Sequence, residues 1–126
     1  MWKKYNPNPA NRSTGDCTIR ALTKALDVDW DTAYAMTAAA GFYRKDMPSI
    51  NRTWWYVLRE NGWRMELLFD RCPDCYTAED FCRDHPEGTY VLGFDRHTAA
   101  CQDGVIYDSF DSRNEVPIYY WERRGE

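Results

Sequence analysis

The sequence predicts an α+β domain, and three observations carry that prediction. Apolar residues recur at helical spacing up to about residue 61. Beyond Gly88 the period changes to two, and Asp103-Gly104 separates two such alternating stretches as a two-residue hairpin turn. The 126 residues suffice for one hydrophobic core and not for two full domains, so a single domain over 1–126 is expected. Apolar residues make up 44% and charged residues 29%, which excludes a disordered chain, because such chains are poorer in apolar residues and carry a larger charge excess.

Residues 1–14 are polar, carry Pro7 and Pro9, and read as an irregular lead-in. Asp16 is a good N-cap for a helix of about three turns that begins at Cys17 and presents Ile19, Leu22, Ala25 and Leu26 at helical spacing. Asp29 caps a second helix through Trp30, Ala33, Tyr34 and Thr37, with Gly41 as its stop. Pro48-Ser49 opens a third, from Ile50 to Asn61, which Gly62 ends. Residues 63–69 read as a strand and 70–76 as a loop. Thr77 and Asp80 make a capping arrangement for a short helix ending at His85, before Pro86-Glu87-Gly88. Strands are expected at 89–95, 97–102, 105–108 and 116–122, so helices come first and a mostly antiparallel sheet follows.

The 16 Lys and Arg against 20 Asp and Glu give a net charge of −4, with the basic residues scattered, so no concentrated basic face for nucleic acid is expected. The N-terminus runs into Asn and Pro where an export signal needs an apolar stretch, and no 18-residue apolar run occurs; neither export nor a membrane span is expected. Five cysteines are an odd number for a disulfide framework. They point to thiols, a metal or a catalytic sulfur in a reducing cytoplasm.

Thiol catalysis needs a thiolate, a base and a group that orients the base. Cys17 stands at a helix N-terminus, where unpaired N–H groups and the helix dipole favour S⁻ and lower its pKa from the free value of about 8.5. The same N–H groups suit a developing oxyanion. His97 opens the strand leading into Asp103-Gly104. If those two residues form the loop, Gln102 pairs with Val105, His97 falls opposite Phe110, and Asp108 lies diagonally on the same face. A three-residue loop would turn Asp108 away. Asp111 and Asn114, on the following loop, are alternative orienters of the base.

The arrangement resembles the papain-like cysteine peptidase superfamily over about residue 8 to the end. Gly15-Asp16-Cys17-Thr18-Ile19-Arg20-Ala21-Leu22 is similar to its nucleophile motif. His97-Thr98-Ala99-Ala100 and Val105-Ile106-Tyr107-Asp108-Ser109 are similar to its base and orienter strands. The nearest resemblance is to small bacterial and phage proteins with G-D-C-x-x-R-A and a later Y-D-S-x-D segment. It implies a papain-like fold with N-terminal helices on the sheet, and a thiol hydrolase that cleaves a peptide or isopeptide bond through a thioester. Cys17, His97 and Asp108 would be its triad, a peptide or protein its substrate, and no cofactor is needed. It also implies an amide that helps bind the oxyanion upstream of the cysteine, for which Asn11 is the candidate and Asn8 the alternative. Thr18 departs from the aromatic that follows the cysteine in papain itself, which bears on peptide cleavage and not on thiol chemistry.

A second reading is a papain-fold interaction module without catalysis. Six Trp and nine Tyr, densest at Trp54-Trp55-Tyr56 and Tyr119-Tyr120-Trp121, cannot all face a core, and some would serve a partner surface. Cys72, Cys75, Cys82 and His85 form C-x2-C-x6-C-x2-H, a set that can close a structural zinc site. The spacer is tight, however, and inward packing of Cys82 is the favoured expectation, with no metal.

Overall fold

The computed structural model describes residues 1–69 and 75–123. In chain order these form β1 (Trp2–Lys4), α1 (Cys17–Leu26), α2 (Trp30–Arg44), α3 (Asn51–Glu60), β2 (Trp63–Leu67), α4 (Ala78–Asp84), β3 (Thr89–Phe94), β4 (His97–Gln102), β5 (Val105–Asp108) and β6 (Tyr119–Arg123). The architecture is α+β, with helices packed on a mixed sheet of strand order β1-β5-β4-β3-β6-β2. Every pairing in that sheet is antiparallel except β1 with β5, which is parallel.

Alternation along the strands sends side chains to two different cores. Val91, Tyr119 and Trp121 pack with Ile19, Leu22, Trp54, Leu58 and Trp63, beneath α1, α2 and α3. Leu92, Phe94, Ala99, Cys101 and Ile106 pack with Ala78, Phe81 and Cys82, beneath α4. The sheet is therefore buried on both faces. The capping box of α4 forms as its sequence predicts: Thr77 Oγ1 accepts from the Asp80 N–H at 3.2 Å, and Asp80 accepts from the Thr77 N–H at 3.0 Å.

The structure differs from the sequence-based expectation at three elements. The lead-in is not wholly irregular, because Trp2–Lys4 pairs with Ile106–Asp108. So short a strand exists only because β5 supplies the edge, and local sequence carries no signal for it. The second helix does not stop at Gly41. It runs to Arg44 and is capped by Lys45 at φ 60°; Gly41 lies inside it, and that position is held to glycine because a Cβ there would come within 2.7 Å of the Asp46 carbonyl oxygen. Asp16 does precede α1, but its side chain makes no capping bond and is committed elsewhere.

Gly93 is held to glycine by packing. A Cβ at this position would sit 1.9 Å from the Tyr119 ring, on the strand paired beside it. Gly93→Ala must push that ring aside, and the expected cost is about 1–3 kcal/mol of stability, read as a lowered midpoint in urea denaturation. Adding Tyr119→Leu is expected to recover part of the loss. An unchanged midpoint in the single variant would contradict the packing described.

Candidate active site

Cys17 begins α1, and α1 lies across β4 and β3, so the helix mouth opens at the end of the sheet where β4 starts with His97. The hairpin that positions Asp108 has the expected register: Gln102 pairs with Val105 and Cys101 with Ile106. Asp103 and Gly104 have φ of 51° and 79°, the two positive values that a type I′ turn requires. The diagonal placement of His97 and Asp108 follows. His97 Nε2 lies 2.6 Å from Asp108 Oδ2, and the carboxylate is fully buried.

Nε2 is engaged by Asp108, which leaves Nδ1 available, and the imidazole lines the same cavity as Cys17 and acts on its thiol. Burial pushes the Cys17 thiol up. The bonds from His97 and the Thr98 backbone N–H, with the charges of His97 and Arg20, outweigh it and leave the thiol below its ordinary value. Burial likewise pushes His97 down, but its bonds to Asp108 and Cys17 and their charges prevail and raise it to about 9. At neutral pH His97 is therefore an imidazolium, and the thiol beside it ionises more readily than a free one.

Asp108 is held by more than the imidazole. Ser112 Oγ donates to Oδ2 at 2.7 Å, the Ser109 N–H donates to Oδ1 at 2.7 Å, and Arg20 Nη2 lies 3.5 Å from Oδ1. The Arg20 guanidinium also pairs with Asp16, whose other oxygen accepts from Trp30 Nε1 at 2.9 Å. This explains the uncapped start of α1: the Asp16 carboxylate serves Arg20 and Trp30 in place of the helix N–H groups. Arg20 and Ser112 are site residues that the sequence reading did not assign. The signal for Arg20 was its place one helical turn after Asp16 within the Gly15–Leu22 motif.

Cys17 and His97 line a cavity of about 160 Å³ together with Thr18, Ser49, Asn51, Trp54, Phe94, Arg96, Thr98 and Tyr119. Asn11 is not among these residues. It lies exposed in a turn of the lead-in, at φ 55°, its N–H bonded to the Asn8 carbonyl, while Asn8 lines the neighbouring cavity. The amide that does line the Cys17 cavity is Asn51, whose Oδ1 accepts from Trp54 Nε1 at 3.1 Å. That bond fixes the amide and leaves Nδ2 free to donate. Asp111, the alternative orienter, is engaged by Arg113 at 2.7 Å.

The second cysteine cluster does not converge. Cys82 Sγ lies against Cys101 Sγ at 2.7 Å in the α4 core. His85 bonds the Phe81 carbonyl through Nδ1 and stacks on the Phe81 ring, and Cys75 is disulfide-bonded. The disulfide at Cys75 departs from the expectation of thiols, a metal or a catalytic sulfur in place of disulfides, and a disulfide sulfur is no thiolate ligand. Cys72 lies outside the described residues. Among those described, no three His, Cys, Asp or Glu side chains are grouped to hold a metal ion, and no helix is long and apolar enough to cross a membrane. In comparisons with known proteins, no family model matches this chain, nor does any curated protein or solved structure.

The two shifted groups oppose each other in the pH dependence of folding. His97 is raised above its unfolded value of about 6.5, so its contribution is full below that pH and is lost as pH rises through about 9. The thiol is depressed, so its contribution is present above its unfolded value and lost as pH falls through the folded one. Where the two windows overlap, below about pH 9, the slopes partly cancel. Cys17→Ala removes one of them, and the variant's unfolding free energy is expected to fall by on the order of 1 kcal/mol from pH 6 to 9, measured by urea denaturation. A flat profile would mean that Asp108 does not raise His97.

Proposed function

We propose that the protein is a papain-like thiol hydrolase that cleaves a peptide or isopeptide bond through a thioester on Cys17. The observation that supports this reading is that Cys17 and His97 line one cavity, with the imidazole bonded to the buried carboxylate of Asp108 and lowering the thiol before any substrate arrives. Cys17 S⁻ attacks the carbonyl carbon; a C–S bond forms and the carbonyl π electrons move to oxygen. That oxygen is met by the Cys17 backbone N–H, which no side-chain cap occupies, and by Asn51 Nδ2 from across the cavity. Asn51 takes the role that the sequence suggested for Asn11.

As the intermediate collapses, the C–N bond breaks and His97 passes its Nδ1 proton to the leaving amine. His97, now neutral, takes a proton from water, whose oxygen attacks the thioester. The thiolate leaves, the acid departs, and the imidazolium is restored. Asp108 stays ionised throughout and stabilises the charged ring.

A binding module is the second reading, favoured by Phe42, Tyr43 and Met47, which stand 77%, 74% and 63% exposed at the end of α2 and just after it. Alkylation separates the two. At pH 6, iodoacetamide is expected to label Cys17 selectively over Cys82 and Cys101. His97→Ala is expected to slow that labelling about tenfold or more, because the thiol loses the imidazole that lowers it. Peptide mapping by mass spectrometry reads both results. Slow, indiscriminate labelling, unchanged by the substitution, would leave the module.

A further inference from the structure

We propose that the cleft takes a substrate carrying a carboxylate beside its reacting carbonyl, and that Arg96 is the residue that binds it. The proposal rests on the thiol-hydrolase reading and adds the substrate's charge to it. Arg96 lies in the two-residue turn between β3 and β4, exposed, with its backbone in the left-handed region at φ 62°. Arg96 lines the same cavity as Cys17 and His97. The ion pairs among the described residues engage Arg20, Arg64, Arg83 and Arg113, and Arg96 takes part in none.

No carboxylate of the protein lies among its cavity neighbours. Asp95 on the same turn neither lines the cavity nor pairs with Arg96. The next cavity, about 410 Å³, shares the lining residues Thr18 and Ser49 with this one. Its walls include Trp30, Tyr34 and Ile19, and it holds a second arginine without an ion pair, Arg12. The carboxylate there, Asp16, is already bound by Arg20 and Trp30. A chain of net charge −4 thus places two guanidinium groups outside ion pairs on two neighbouring cavities whose walls mix polar and aromatic side chains. A guanidinium matches a carboxylate with two parallel N–H···O bonds, and beside low-dielectric walls that pairing is stronger than in open water.

Two alkylating agents of nearly equal size test the charge directly. Cys17 labelling is followed with iodoacetate and with neutral iodoacetamide at low ionic strength, in the unmodified protein, in Arg96→Asn and in Arg83→Gln. Asn tolerates the left-handed backbone, and Arg83→Gln makes the same change in net charge on α4, away from the cleft. The ratio of the iodoacetate rate to the iodoacetamide rate is expected to fall about tenfold in Arg96→Asn and to hold in Arg83→Gln. Equal ratios in all three proteins would overturn the proposal. Absence of selective iodoacetamide labelling would instead defeat the underlying thiol-hydrolase reading.

Peptides of one neutral sequence then distinguish the source of the carboxylate. One carries Asp beside the scissile bond with an amidated C-terminus, one a free C-terminal carboxylate at that place, and one neither. Faster turnover of either charged peptide supports the proposal and names the source; equal turnover of all three counts against it.

Discussion

The buried carboxylate of Asp108 is the constraint on which the rest of this structure depends. Removing an ionised carboxylate from water costs several kcal/mol unless donors replace the lost hydration. Here the donors come from different parts of the chain: His97 from β4, Ser109 and Ser112 from the segment after β5, and Arg20 from α1. Satisfying one side chain therefore fixes how the first helix sits on the sheet and how the imidazole is turned. Fold and site are held by the same bonds, and a change that loosens one loosens the other.

Arg20 extends that constraint to the mouth of the cleft. It pairs with Asp16 on one side and reaches Asp108 on the other, and Asp16 in turn holds Trp30 at the start of α2. A conventional cap at Asp16 would have taken up first-turn N–H groups of α1. Diverting the carboxylate to Arg20 leaves them uncapped beside the sulfur, and the guanidinium adds a positive charge that lowers the Cys17 thiol. The local cost is a missing cap, worth about 1 kcal/mol in an ordinary helix, offset by the hydrogen bonds that Asp16 makes to Arg20 and Trp30.

The parts legible in the sequence were those set by local chemistry. Asp103-Gly104 could be read as a two-residue turn, and the pairing of Gln102 with Val105 then carried His97 and Asp108 to the same place. The Thr77 and Asp80 box was legible for the same reason. What was not legible depends on contacts remote in the chain. β1 exists because β5 offers an edge, and Gly41 is glycine because the chain beyond the helix returns close to it. Asn51 lies far from Cys17 in sequence, and only the packing of α3 brings it to the cavity. An amide donor sought close upstream of the cysteine leads to Asn11, which remains in a solvent-facing turn.

Comparison among the free cysteines shows why environment, and not residue type, decides reactivity. Cys82 and Cys101 lie in hydrocarbon between α4 and the sheet, touching each other, and Cys101 is pushed far up by its neighbouring sulfur and by burial. Cys17 is also substantially buried, and burial alone would make it equally inert. It differs in facing an imidazolium whose charge is maintained by Asp108, and in receiving a backbone N–H from Thr98, the next residue along β4. Two adjacent residues at the start of one strand thus both lower the Cys17 thiol. The register of the β4–β5 hairpin, which sets where Asp108 falls, is thereby the register of the chemistry. A slip of one residue would keep much of the sheet's pairing while turning the carboxylate to the opposite face, and Cys17 would become a third quiet thiol in a folded domain.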